Sequence, residues 1–407
     1  MISTKHFKTF QVYETLISTS NLFPKCLTKF NPFNSLHSKT YSNYSQINPR
    51  DKPNPYEKTK IDRVLRNFKA NQQHTIEKAS LDSLKDMAKS IKKTWLDDNQ
   101  IRSLFMSFHQ KHFNHLFNKT SSIYELEKFV FLFYWGQIYI EFERKDKVWN
   151  RYTDLLLHYG NNMQDCDAPT VYTFCKSLNY IASISLLQPS ELKPVFNVLY
   201  QVFKDKTTFD LYEMRSVILT LNSIMIQPNL TPFTVQLKDW LGIINKFDFS
   251  HQGAANMALY TLENFKVLLK DNPDLLSAVE SCLDRIPVKQ YNRAEIRDSN
   301  TQRKIASIMA DLGFIFTQNE LIGIYSVDFL VKPKLVIDYH GVSHYYLNKQ
   351  EMMIHAHQIK IKVLEKLGYY VQIIPFEKWN LLESKQRQSA YINELVYEPF
   401  YKNQDRY

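Results

Sequence analysis

Glycine is scarce in this chain, with eight in 407 residues. Loops that cradle phosphate with backbone N–H groups need several glycines in one turn. No such loop is present, so nucleotide-binding folds are disfavoured and a kinase reading has no support. The four cysteines (Cys26, Cys166, Cys175, Cys282) show no C-x-x-C spacing. They suggest neither zinc nor a disulfide framework, and a reducing compartment fits them. No run of 18 apolar residues could form a spanning helix, and no Ser-His-Asp arrangement is visible. Net positive charge is missing over most of the length. The net charge is +10, yet residues 1–50 supply +5, residues 51–121 supply +6, and the other 286 residues sum to −1. Global basicity therefore cannot argue for nucleic-acid binding by the main body of the chain; only local patches could.

What is present is apolar and aromatic: 44% hydrophobic and 14% Phe, Tyr and Trp, enough for two or three domains. Residues 1–50 hold seven Ser, six Lys or Arg and Glu14 as the sole acid, without a long apolar stretch. This is the pattern of an organellar presequence, which predicts the mitochondrial matrix, with a plastid as the alternative. Residues 41–57 read as linker, and 51–121 as linker plus a basic helical segment. Within that segment His109, His112 and His115 recur every third residue, but the rings drift around a helix and no acid accompanies them. Phe108, Phe113 and Phe117 point to packing there rather than to a metal.

Residues 122–290 carry an internal repeat. The segments TFCKSLNYI (173–181), SVILTLNSI (216–224) and MALYTLENF (257–265) superpose, with Leu178, Leu221 and Leu262 in one place. Helix starts are expected at Asp167-Ala168-Pro169, Asp210 and Ser250, with partner helices at 190–204 and 231–246. A period near 42 with two helices per unit predicts a solenoid, because a lone helix pair cannot bury its apolar face.

The stretch YSVDFLVKPKLVIDYHGVSH (325–344) reads as strands Ser326–Val331 and Leu335–His340 around Lys332-Pro333-Lys334. A three-residue turn there makes positions summing to 666 face each other, pairing Asp328 with Asp338 and Ser326 with His340. Val327, Phe329, Val331, Leu335 and Ile337 then share the apolar face. Two opposed aspartates repel, so a cation, a bound proton or a basic neighbour must compensate. The surrounding elements read as helix Arg293–Leu312, strand Phe314–Leu321, helix Asn348–Leu367, strand Tyr369–Phe376 and a helix opening at Glu377-Lys378-Trp379.

SVDFLVKPKLVIDYHGVSH, followed by IKIKVLEKLGYYVQIIPFEKW, resembles the RAP domain, an RNA-binding domain abundant in apicomplexans. The resemblance spans 293–395 and rests on the Asp of SVDF, the acid of VIDYHG, Gly341, His344, Lys360 with Lys362, LGY, and the Pro375…Trp379 spacing. FSHQGAANMALYTLENF is similar to the helical repeats of FAST-kinase-like and octotricopeptide-like proteins. The resemblance implies an α+β multidomain chain. An all-α helical-repeat solenoid would be followed by a C-terminal α/β domain of restriction-endonuclease-like fold, with 396–407 as a tail. It also implies a mitochondrial RNA-binding protein acting in RNA processing, stability, translation or ribosomal RNA assembly, with organellar mRNA or rRNA and other RNA-processing proteins as partners. Lys332, Lys334, Lys360 and Lys362 would meet phosphates, and His344 and Trp379 would orient or stack on a nucleotide. Two competing readings follow. One is a metal-dependent ribonuclease holding Mg²⁺ on Asp328 and Asp338 with His340 as ligand or base, although His340 stands where the nuclease pattern wants Lys. The other is a structural subunit of an organellar ribosome, with no chemistry.

Overall fold

The computed structural model describes residues 81, 82, 84, 85, 112–160, 163–287 and 299–401. The expected presequence, the 41–57 linker, most of the basic segment with Phe108 and His109, and residues 402–407 lie outside the described residues. The chain divides into two compact units. One holds the described residues up to Ser185 together with Leu347–Lys349; the other holds Leu186–Tyr346 and the residues from Gln350 onward.

The first unit is helical: α1 (Ile123–Trp135), α2 (Phe142–Gly160) and α3 (Ala168–Ile184). Ser122 and Glu125 form a capping box that starts α1, and Asp167 caps α3 through the Thr170 N–H. Helices α1 and α3 pack together, and Tyr124 Oη lies 2.7 Å from Thr170 Oγ1. Glu127 is buried, with Lys176 at 2.7 Å and Lys85 at 2.8 Å as its counter-ions. Phe113 is buried among Phe117, Phe129 and Phe133, with ring centroids 5.4–5.9 Å away. Packing accounts for this phenylalanine cluster, beside which His112 and His115 stand on the helical stretch 112–117.

The second unit opens with repeat helices α4 (Pro189–Phe203), α5 (Leu211–Met225), α6 (Thr234–Ile244), α7 (Gln252–Leu268) and α8 (Pro273–Asp284). Helix α5 packs on α7, while α4, α6 and α8 pack in succession, so like helices stack on like. Leu178, Leu221 and Leu262 are each fully buried. Side-chain bonds recur at nearly the repeat length: Lys246 Nζ to the Lys204 carbonyl (2.7 Å), Thr261 to Asn222 (2.7 Å) and Cys282 Sγ to the Leu241 carbonyl (3.5 Å). The expected helix starts hold at Asp167 and Asp210, each a side-chain N-cap. Ser250 instead lies in the preceding turn, and His251 caps α7.

The same unit continues with α9 (Asn300–Asp311), β1 (Phe316–Ile322), β2 (Tyr325–Val331), β3 (Leu335–His340), β4 (Tyr345–Tyr346), β5 (Lys349–Met353), α10 (His355–Lys366), β6 (Tyr370–Pro375), α11 (Phe376–Asn380) and α12 (Lys385–Tyr401). The main sheet has the order β1-β2-β3-β6. Its first three strands are antiparallel, and β6 lies parallel to β3 after the α10 crossover. One face packs Phe329, Val331, Leu335, Ile337 and Ile374 against α9 and α12. The other packs Val336 and Leu330 against Leu364 of α10.

Three expectations are corrected. The span Asn348–Leu367 is not one helix: Lys349–Met353 pairs with Tyr345–Tyr346, and α10 begins only at His355 after the extended N-cap Ile354. Val327 leaves the face of Phe329 and Val331 and packs with Ile322, Val336 and Leu364. The β1–β2 ladder skips the Asn319/Asp328 pair between these residues, and Asn319 has φ 51°, so strict alternation fails there. Helix α12 runs on to Tyr401, into what reads as a tail in the sequence.

Candidate functional site

The predicted register of the central hairpin is observed: Phe329 faces Ile337, Leu330 faces Val336 and Val331 faces Leu335 across Lys332-Pro333-Lys334. The ladder does not reach Ser326 and His340. It ends where Asp328 and Asp338 meet, and side chains take over from carbonyls. The Asp328 N–H donates to Asp338 Oδ1 at 2.8 Å, and the Tyr339 N–H donates to Asp328 Oδ2 at 2.8 Å. Lys360, one helical turn into α10, sets its Nζ 2.6 Å from Asp338 Oδ2. Gln302, from the capping box of α9, also hydrogen-bonds Asp328.

One of the compensating devices expected for opposed aspartates, a basic neighbour, is therefore present. Burial, and then the charge of Asp338, push the Asp328 carboxyl up to about 7, which favours its protonated form. Burial opposes ionisation of Asp338 too, but Lys360 and then His340 outweigh it and hold that carboxyl below its usual value. Asp338 is 2% exposed and the Lys360 side chain 15%, so this is an interior ion pair. Asp338, one of the two carboxylates a Mg²⁺ ion would need, already carries the Lys360 ammonium.

The remaining predicted residues separate. Lys332 and Lys334 are exposed at the hairpin turn. The Lys334 carbonyl accepts from the Tyr370 N–H at 2.8 Å, and Tyr370 is 50% exposed, so two ammonium groups and an accessible ring share one end of the sheet. Lys362 turns instead toward the repeats, donating to the Pro228 carbonyl at 3.3 Å, and partial burial lowers its pKa. Lys360 faces Asp338 rather than solvent. Trp379 is 4% exposed in the core with Ile374, Tyr391 and Ile392, so its ring anchors the fold and is not presented for stacking on a nucleotide. His344 is buried against His340 and His357, not displayed on a surface.

Gln302, Tyr370 and His357 were not legible as site residues. The one available signal was the spacing of His357 and Lys360, three apart on a helix and so on one face.

The family model of the RAP domain matches residues 337–395, which runs from the middle of β3 through α10, β6 and α11 into α12. This is a domain type associated with RNA binding. Comparison with curated proteins finds no match.

Proposed function

We propose that this protein binds organellar RNA and acts in processing, stability, translation or ribosomal RNA assembly in the mitochondrion. The RAP match over 337–395 carries the reading. The exposed end of the sheet supports it, because Lys332 and Lys334 offer two phosphate contacts and Tyr370 offers a face on which a base can stack. The stacked repeats α4–α8 supply a longer surface in the same compact unit. The Ser- and Lys-bearing, acid-poor first fifty residues support the compartment.

Cross-linking in cells with ultraviolet light, followed by sequencing of attached RNA, tests the reading. Reads on mitochondrial transcripts or ribosomal RNA are expected, and their position relative to mature ends separates processing from assembly. Absence of organellar RNA with working controls would leave a protein scaffold as the better account.

The competing hydrolytic reading needs Asp328 and Asp338 free to take a metal, and Lys360 works against that. RNA cleavage by the purified chain that depends on Mg²⁺ and is lost in Asp328→Asn would reinstate it.

A further inference from the structure

Among the described residues one group of side chains could hold a metal ion after one of its stacked rings turns, and it is made of imidazoles rather than the carboxylates beside it. His340 is the last residue of β3, His344 lies in the short 3-10 turn Val342–His344, and His357 is in the first turn of α10. Their candidate ligand nitrogens all lie within 4.8 Å of one another. The His340 and His344 rings are 4.3 Å apart between centroids, His344 and His357 are 3.9 Å apart and nearly parallel, and His340 and His357 are 5.5 Å apart.

The backbone holds the three in place. The His344 N–H donates to the Gly341 carbonyl, the Ile354 N–H donates to the His344 carbonyl, and the His357 N–H donates to the Ile354 carbonyl, each at 3.0 Å. The turn carrying one imidazole is thereby tied to the helix start carrying another. His340 and His344 are buried at 1% and 5%, and His357 is partly exposed. Imidazole nitrogens supply lone pairs that suit a borderline-soft divalent ion, whereas Mg²⁺ and Ca²⁺ prefer oxygen.

We infer that His340, His344 and His357 bind one divalent transition-metal ion of the zinc type, with the partly exposed His357 side leaving a coordination position open. Three protein ligands with one open position is the arrangement in which zinc keeps a water or takes an oxygen from a bound molecule. The site stands whether or not the RNA reading does, since it rests only on the three side chains.

The test uses the purified, untagged full chain, stripped with chelator and then titrated. One equivalent of Co²⁺ should produce visible absorption bands of a four- or five-coordinate ion, one equivalent of Zn²⁺ should abolish them, and Zn²⁺ should raise the melting temperature. His344→Gln and His357→Gln should each weaken Zn²⁺ binding by more than the roughly 10–100-fold typical of losing an outer-shell partner. Should a variant fail to fold, wild-type chain is treated with diethylpyrocarbonate, and Zn²⁺ should protect the partly exposed His357 while other exposed histidines still react. Absence of a one-to-one Zn²⁺ or Co²⁺ complex, binding that survives both substitutions, or no protection of His357 would overturn the proposal.

Discussion

At the scale of single residues, the Asp328–Asp338–Lys360 cluster sets the charge state of the sheet's interior. Removing one member of an interior ion pair strands the other. Lys360→Met should therefore lower stability by about 3 kcal/mol, and pairing it with Asp338→Asn should recover much of the loss. Denaturant unfolding of both single variants and the double variant measures this; a double-variant loss equal to the sum of the two single losses would show that the pair contributes no coupling. The two carboxyls also give opposite pH dependences. Asp328 is raised in the folded chain, so its contribution is full at low pH and is lost as pH climbs through about 7. Asp338 is depressed, so its contribution is present above the ordinary carboxylate range and is lost as pH falls below it. Between pH 5 and pH 8 the melting temperature of Asp328→Asn should fall less than that of the parent chain. Matching slopes would mean that Asp328 ionises normally.

At the scale of elements, Trp379 illustrates how a motif residue is read. Its place in the Pro375…Trp379 spacing of a nucleic-acid-binding family suggests a stacking ring, but α11 turns it into the core against Ile374 and Tyr391. Trp379→Ala should cost about 3–5 kcal/mol, as expected for truncating a buried aromatic, while RNA affinity of the remaining folded fraction is unchanged. A loss of affinity without a loss of stability would reverse the assignment. Much of the architecture was legible because periodicity reports burial directly: Leu178, Leu221 and Leu262 mark equivalent buried positions, and the Lys-Pro-Lys turn sets the hairpin register. The short pair β4–β5 was not, because Lys349–Met353 carries a pattern that continues the α10 stripe and differs from it only in its partner. The histidine cluster was missed for a similar reason. Its three members are separated by four and thirteen residues, and only the crossover from β3 to α10 brings them together.

At the scale of the whole molecule, RNA affinity is expected to arise from a few local charges, since the residues after 121 are nearly neutral in sum. Substituting both Lys332 and Lys334 by Ala should weaken single-stranded RNA binding and reduce the slope of log affinity against log salt by about 1.4. An unchanged slope would place the contacts elsewhere. The repeats and the sheet meet through specific bonds within one compact unit. Tyr325 Oη donates to Asn264 Oδ1 at 2.7 Å, Lys366 Nζ pairs with Asp271 at 2.7 Å, and Lys270 Nζ reaches the Lys366 carbonyl at 2.6 Å. Tyr325→Phe leaves a buried Asn264 oxygen without that donor and should cost about 1–3 kcal/mol, lowering amide protection in α7 and β2 together. Loss of protection in only one of them would show that they unfold separately. Because α7 and the sheet are bolted together at these points, the distance from the repeat helices to Lys332 and Lys334 would be fixed for any RNA that contacts both. A bound strand that touches both ends should be shielded from nucleases over one constant footprint, whatever its sequence, and Tyr325→Phe should blur that length.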